Sequence, residues 1–490
     1  MNKMHFLARA EALKPALRYE TVHPVAGMPA AALRENDSVV LDFGDHRVGH
    51  LTLTLSSEGS HPDAPVWLQL KFCENPRELA ETADQYHGWI SKGWIQEERL
   101  HIDTLPCTLT LPRRYAFRYV RIDVLAVSSK FSLVLADAFA DCTTSADDAA
   151  LPAYSGDPQD GAIDRIGCRT LRSCMQDVFE DGPKRDRRLW IGDLRLQALA
   201  NYATYRNNDL VKRCLYLFAA VADEAGRIPA CLFNEPRVEG DDTWMFDYSL
   251  FYIPTLLDYL ENTGDRDTAA ELLDTAMAQL TAVEGYFDQE TQLVQDSEVL
   301  GWCFVDWNLA LNKQTCAQAI WIYCAKAAMK LLTALSRPVP ASLAGKIADR
   351  TQALRNCCYD AERGVYISGA QRQISMAAQV WCALADVLPP EQALAAIDRA
   401  EAMEETVGMV TPYMMHHYAE ALLRLGQKER CRETIRSYWG AMAAQGADTF
   451  WELFDPRDPD ASPYGSPIVN SYCHAWSCTP VWFLRKALVQ

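Results

Sequence analysis

The spacing of apolar residues changes once along this chain, from every second residue to every third or fourth, and no other feature restricts the fold as strongly. Leu51-Thr52-Leu53-Thr54-Leu55 alternates strictly. Val66, Leu68, Leu70 and Phe72 share one face, and Val120, Ile122 and Val124 alternate with Tyr119, Arg121 and Asp123. A period of two with one apolar face belongs to half-buried antiparallel strands. Pro and Gly interrupt these runs at short intervals, which favours a β-sandwich. The stretch Asp141 to Asp160 is rich in Asp, Ala, Ser and Pro and poor in large apolar residues, so it reads as a surface linker. Beyond it Ile163, Ile166, Leu171, Cys174 and Val178 recur at helical steps. Leu210, Cys214, Leu217 and Val221 do the same, followed by Ala319, Tyr323, Ala327 and Leu331. With ~28 residues per helix and loop, the remaining ~330 make about twelve helices. They can close as six hairpins in a toroid or climb as a solenoid, and the lack of a strict repeat counts against the solenoid. The expected architecture is a multidomain β + α chain: a β-sandwich over residues 1–145 and an (α/α)6 barrel over residues 146–490.

Charge narrows the partners. Lys and Arg number 47 against 65 Asp and Glu, so 47 − 65 = −18. Such a surface disfavours nucleic acid and anionic membranes and suits a neutral or cationic small substrate. No apolar run approaches the ~18 residues of a membrane span. The 16 cysteines include no CxxC pair; Cys357 and Cys358 are vicinal, and Cys473 and Cys478 are five apart. Met1 to Glu20 has no apolar core of the signal-peptide kind, so a cytoplasmic chain with reduced, mostly buried thiols is expected. No histidine lies between residues 102 and 415, and no metal or other cofactor is expected. A homodimer is expected, because sandwich domains often pair.

Ten of the 13 tryptophans lie after residue 150. Trp190 is near Asp193, Trp244 is near Asp242 and Asp247, Trp307 follows Asp306, and Trp451 precedes Glu452. Any one such pair reads more readily as a core indole beside a helix cap or a solvated acid. Several of them at hairpin joints suit a sugar site, where indoles stack on C–H faces and carboxylates accept bonds from hydroxyls.

The segment Glu180 to Asp193, EDGPKRDRRLWIGD, concentrates three aspartates, a glutamate and three arginines in a loop broken by Pro183 and Gly192. Read alone, it is a helix N-cap and a solvated charge run. Its pattern resembles the D-x-P-x-R-[DE]…W-x-G-D signature of the α-L-rhamnosidases of glycoside hydrolase family 78. Asp42-Phe43-Gly44 with Val48-Gly49, and Phe117-Arg118-Tyr119-Val120-Arg121-Ile122, resemble that family's N-terminal sandwich. Asp306-Trp307, Asp448-Thr449-Phe450-Trp451-Glu452 and Ser471-Tyr472-Cys473-His474-Ala475-Trp476-Ser477 resemble its later motifs, in the same order.

The resemblance implies an (α/α)6 barrel behind a sandwich, and hydrolysis of terminal α-L-rhamnosyl residues with inversion. It places Asp186 as general acid and Glu452 as general base. Asp181, Arg185, Asp193, Asp306 and His474 then bind sugar hydroxyls, and Trp190, Trp244 and Trp307 line the pocket. The chain departs from the pattern in having Asp186 where Glu is usual, Leu189 for a Gly and Gly182 for a frequent Cys. A one-residue gap would put Arg187 at the acid position, and Glu180 is an alternative acid; the ungapped match keeps both flanking aspartates in register. An acid must hold its proton near neutrality, so Arg185 is expected to point at the sugar or at a carboxylate other than Asp186. Two other classes stay open: another glycoside or unsaturated-uronyl hydrolase on the same toroid, and a carbohydrate-binding relative without catalysis.

Overall fold

The computed structural model describes residues 3–59, 65–296 and 303–489. Seven strands precede the helical region: β1 (Arg18–Val22), β2 (Ser38–Gly59), β3 (Val66–Cys73), β4 (Glu97–Ile102), β5 (Cys107–Thr110), β6 (Tyr115–Ala126) and β7 (Phe131–Thr144). They hydrogen-bond in the order β1-β7-β2-β6-β3-β4, with β5 also on β2, and the pairs are antiparallel. Strand β2 belongs to both halves of this sheet. Its residues 38–49 pair with β6, and residues 49–59 pair with β7, with a register break between Asp42 and Arg47. The inward residues of both halves make one core. Leu51, Leu53 and Leu55 meet Val66, Leu68, Leu70 and Phe72 and also Val120, Ile122 and Val124. This is the alternation read from the sequence. β7 runs on to Thr144, so Asp141 to Thr144 are strand and not linker. The remainder of the linker is anchored: the buried Asp160 carboxylate accepts from Arg432 at 3.0 Å and Arg436 at 2.6 Å.

Helix α1 (Lys3–Glu11) precedes the sheet but packs elsewhere. Phe6 and Ala10 join the helical core, and Arg213 Nη1 donates to the Ala10 carbonyl at 2.5 Å. The expected 1–145 unit therefore contains a helix that belongs to the barrel's packing.

After the sheet come α2 (Gly161–Cys174), α3 (Ile191–Ala203), α4 (Asn208–Val221), α5 (Phe246–Thr263), α6 (Arg266–Glu271) and α7 (Leu273–Ala282). They are followed by α8 (Gln314–Ala334), α9 (Ala341–Cys358), α10 (Met376–Leu384), α11 (Pro390–Ala402), α12 (Pro412–Arg424) and α13 (Lys428–Ala444). Three short helical segments follow near the C-terminus, Ala475–Cys478 (3-10), Pro480–Trp482 (α) and Phe483–Ala487 (π). α2 ends at Cys174, because Met175 leaves the helical region of the backbone, so Val178 lies in the loop beyond it. Amphipathicity sorts the helices into two layers. α9 and α11 bury only one stripe, whereas α3 and α10 are buried at every position. The buried ones form a closed inner ring: α3 against α5, α5 against α8, α8 against α10, α10 against α12, then α12 and α3 both against the turn at 475–478. A closed ring excludes the solenoid.

Each outer helix leads into its inner partner, and those connections gather at one end of the barrel. The inner-to-outer links at the other end are short turns such as 204–207 and 425–427. Caps fix several inner helix starts at the long-loop end. Ser375 Oγ accepts from Ala378 N–H at 3.2 Å, and Thr411 Oγ1 accepts from Met414 N–H at 3.1 Å. Among the described residues no helix is long and apolar enough to cross a membrane.

Candidate active site

The long connections enclose a cavity of about 350 Å³. The α2–α3 loop contributes Asp181, Arg185, Asp186 and Arg188 to its wall. Trp190 and Asp193 come from the start of α3, and Met245 and Tyr248 from the start of α5. The loop before α8 gives Phe304 and Trp307, and the last connection gives Glu452, Tyr464, His474 and Trp476. Eight of the expected site residues are thereby brought together.

The other two lie behind the wall. Trp244 stacks on Tyr286 with centroids 5.5 Å apart, and only its neighbours Thr243 and Met245 reach the cavity. Asp306 is buried and ties loops together. Its carboxylate accepts from Thr411 Oγ1 at 2.6 Å, Val410 N–H at 2.9 Å and Trp307 N–H at 3.0 Å. Burial pushes its carboxyl up to about 6 against those bonds. The alternative acid Glu180, and Arg187 of the gapped match, are outside the wall as well. Glu180 is held by Arg114 at 2.7 and 2.8 Å, and Arg187 donates to the carbonyls of Pro183 and Arg114.

One guanidinium links the two candidate catalytic carboxylates. Arg185 Nη2 donates to Glu452 Oε2 at 2.5 Å, and Nη1 lies 3.4 Å from Asp186 Oδ1. The short contact goes to Glu452, as expected, but the longer one goes to Asp186, the carboxylate that Arg185 was expected to avoid. Arg185 Nε is tied to the Val469 carbonyl at 3.0 Å, so the side chain is fixed. The second oxygen of Glu452 accepts from the Tyr464 hydroxyl. Its backbone is pinned by Trp476 Nε1, which donates to the Glu452 carbonyl at 3.0 Å.

Asp181 shapes its own loop. Its two oxygens accept from Asp186 N–H and Arg188 N–H, both at 3.1 Å. Burial, with the charge of Asp186 adding to it, pushes its carboxyl up to about 8. Burial also raises Asp193 well above the carboxylate range, helped by Asp181 and Glu452. Both shifts favour the protonated form, which can donate as well as accept. Burial, then the positive Arg185, holds His474 well below its usual value, so its ring is neutral. His474 Nδ1 and Asp193 Oδ1 face each other at 3.7 Å, too far for a bond, and neither has another partner. Buried polar atoms are normally satisfied, and a ligand hydroxyl between them would satisfy both. The indole N–H groups of Trp190 and Trp307 are likewise buried without a partner.

Sequence reasoning missed Tyr464, Tyr248, Phe304, Asp241 and Thr243, and also the segment Trp89 to Trp94 from the sheet domain, which reaches this cavity. For Tyr464 the available signal was an aromatic in a loop dense in Asp, Ser, Pro and Gly. Among the described residues no group of three His, Cys, Asp or Glu is arranged to hold a metal ion.

A closed double ring of helices with opposed carboxylates and indoles in one mouth is the arrangement of a six-hairpin glycosidase. Residues 157–488 match the bacterial alpha-L-rhamnosidase six-hairpin glycosidase domain, and residues 6–142 match the glycosyl hydrolase family 78 alpha-rhamnosidase N-terminal domain. The chain belongs to this α-L-rhamnosidase family. Among solved structures it is similar to a rhamnosidase from Klebsiella oxytoca with rhamnose bound. The two are 44% identical with a TM-score of 0.95, over 99% of this chain and 98% of that one. A family 78 rhamnosidase of Bacillus sp. GL1 shares the fold at 23% identity and TM-score 0.75, over 92% of this chain and 46% of that one. An α-L-rhamnosidase of Streptomyces avermitilis complexed with L-rhamnose does so at 16% identity and TM-score 0.67, over 96% and 44%. No curated protein sequence matches the chain.

Proposed function

We propose that the protein is an exo-acting, inverting α-L-rhamnosidase of small rhamnosides. The observation that carries this reading is the meeting of Asp186 and Glu452 on one cavity although 266 positions (452 − 186) separate them. In the reaction the Asp186 carboxyl gives its proton to the glycosidic oxygen as the bond from that oxygen to the anomeric carbon breaks. Glu452 takes a proton from a water whose oxygen bonds to the anomeric carbon from the opposite face. Inverting hydrolases separate the two carboxyls by about 6.5–9.5 Å to admit that water. Arg185 stands between Asp186 and Glu452, with one η nitrogen on each. Arg185 and Tyr464 fix Glu452 by its two oxygens, so its orientation is set before substrate arrives.

Asp181, Asp193 and His474 form a hydrogen-bonding wall for the sugar hydroxyls, and Trp190 and Trp307 offer apolar faces. The wall is backed by the fully packed Tyr248, Phe304 and Trp476, which supports admission of a terminal residue only. Sixteen unpaired thiols, nearly all buried, support a cytoplasmic setting. Exposed Tyr19, Val25 and Val40 on the sheet domain support a homodimer; a monomer by light scattering would remove that part.

The test is turnover of 4-nitrophenyl α-L-rhamnoside by the wild type beside Glu452→Gln, with the matching glucoside and glucuronide as controls. Rhamnoside turnover that Glu452→Gln abolishes is expected. NMR of the first product should show the β-anomer. Activity on the glucuronide alone, or rhamnose binding without turnover, would overturn the reading.

A further inference from the structure

We infer that the sheet domain supplies the leaving-group subsite, through the β3–β4 connection, with Trp89 as a platform for a flat C–H or aromatic face. The inference rests on the rhamnosidase reading and adds the partner that this reading leaves unassigned. Trp89 and Trp94 line the same cavity as Asp186 and Glu452, yet they come from the other domain. Trp89 is 69% exposed. An indole left so far in water at the rim of this cavity is an unused apolar face rather than core.

The platform is held rigidly. Trp89 Nε1 donates to the Pro463 carbonyl at 2.9 Å, and its ring centre lies 5.4 Å from that of Tyr464. Tyr86, buried just before it, donates its hydroxyl to the Tyr464 carbonyl at 2.9 Å and accepts from Ile90 N–H at 3.2 Å. Gly88 lies against that same carbonyl, where a Cβ would approach to 2.0 Å. The connection is thus fastened to Tyr464, the residue that holds Glu452 on its hydroxyl side.

Position decides what such a face binds. The rhamnosyl ring is claimed by the inner wall of Asp181, Asp193 and His474. An exposed face at the rim, carried by another domain, meets the group across the scissile bond. Stacking requires a flat partner: an aryl ring, or the C–H face of a second pyranose. A short alkyl leaving group gains nothing from it.

The experiment compares methyl α-L-rhamnoside, 4-nitrophenyl α-L-rhamnoside and a rhamnosyl-glucose disaccharide on the wild type, Trp89→Ala and Trp89→Phe. For Trp89→Ala, kcat/KM on the aryl or disaccharide substrate should fall about tenfold relative to the methyl substrate, mostly through KM. Trp89→Phe should recover most of the ratio, and inhibition by free L-rhamnose should be unaltered. A fall on the aryl arm alone assigns the platform to aromatic leaving groups, and a fall on the disaccharide arm alone assigns it to sugars. Equal loss on all three substrates, or no loss on any, overturns the platform while leaving the rhamnosidase intact. A wild type that neither binds rhamnose nor cleaves any rhamnoside overturns the functional reading itself and the platform with it.

Discussion

Glu452 is gripped on both oxygens, by Arg185 and Tyr464, whereas Asp186 has one contact at 3.4 Å and a partly exposed side chain. That asymmetry matches two different tasks: a base that must stay ionised and aimed, and an acid that must approach a departing oxygen. It also predicts how the two substitutions differ. Asp186→Asn should lose about 10²–10⁴-fold on alkyl rhamnosides, whose leaving oxygen needs a proton, and far less on activated aryl rhamnosides. Glu452→Gln should lose comparably on both, since water must be activated whatever leaves. Steady-state rates on the two substrate types decide this, and an Asp186→Asn variant with full alkyl-rhamnoside turnover would remove Asp186 from the acid role. The motif residues around Asp186 and Glu452 were legible because their order along the chain is specific. Tyr464 was not, because a tyrosine in a polar loop carries no mark of the carboxylate it will meet. Trp244 and Asp306 show the opposite limit. Adjacency of indole and acid marks a hairpin joint, but the direction of each side chain depends on the loop opposite, here Tyr286 and Thr411.

The loop that carries Asp186 is fastened to the sheet by a buried charge cluster. Lys184 is 2% exposed and donates to Glu78 at 2.8 Å, with Glu74 at 3.3 Å. Glu74 also accepts from Tyr472 N–H at 2.8 Å and pairs with His46 at 3.0 Å, whose other ring nitrogen meets Ser173 Oγ at 3.0 Å. The strand end, the Asp186 loop and the 471–477 segment therefore share one network. Lys184→Met leaves the buried Glu78 without its cation and Glu74 with His46 alone, and should cost about 3–5 kcal/mol. The readout is the unfolding midpoint in denaturant, and an unchanged midpoint would contradict the clamp.

Burial disfavours protonation of His46, but the acidic groups around it, Cys473 and Glu74 foremost, push it up to about 9. Its folded value thus lies above the unfolded ~6.5. The stabilisation is then complete below that unfolded value and is lost as pH rises through about 9. Wild-type stability should fall between these limits relative to His46→Gln, and parallel stability curves from pH 6 to 10 would refute it. None of this was visible in the charge run 180–193, which reads as solvated. The alternation of β3 revealed its apolar face and gave no sign that Glu74 and Glu78 would be covered by the barrel.

At the scale of the whole molecule, closure of the helical ring opposes residue 186 to residue 452, and the sheet domain completes the mouth that closure creates. The period switch made the two-part architecture legible, because each period demands its own partner layer. It did not reveal how deeply the parts interlock, since contacts between layers leave no periodic trace. Helix α1, which lies before the first strand, packs in the barrel, and the Asp186 loop is clamped through Lys184 to carboxylates of the sheet domain. The barrel should therefore fail as a separate unit. Produced alone as residues 146–490, it would leave Lys184 in place without Glu74 and Glu78. It would also uncover the surface that α1 shields and lose the Trp89 rim. Expected outcomes are aggregation, or a soluble protein with a strongly lowered melting point and no rhamnoside turnover. Adding the separately produced sheet domain should restore turnover only if the two reassociate. A soluble 146–490 fragment with wild-type kcat/KM on a methyl rhamnoside would show that the barrel positions Arg185 and Asp186 unaided, and that the clamp serves stability only.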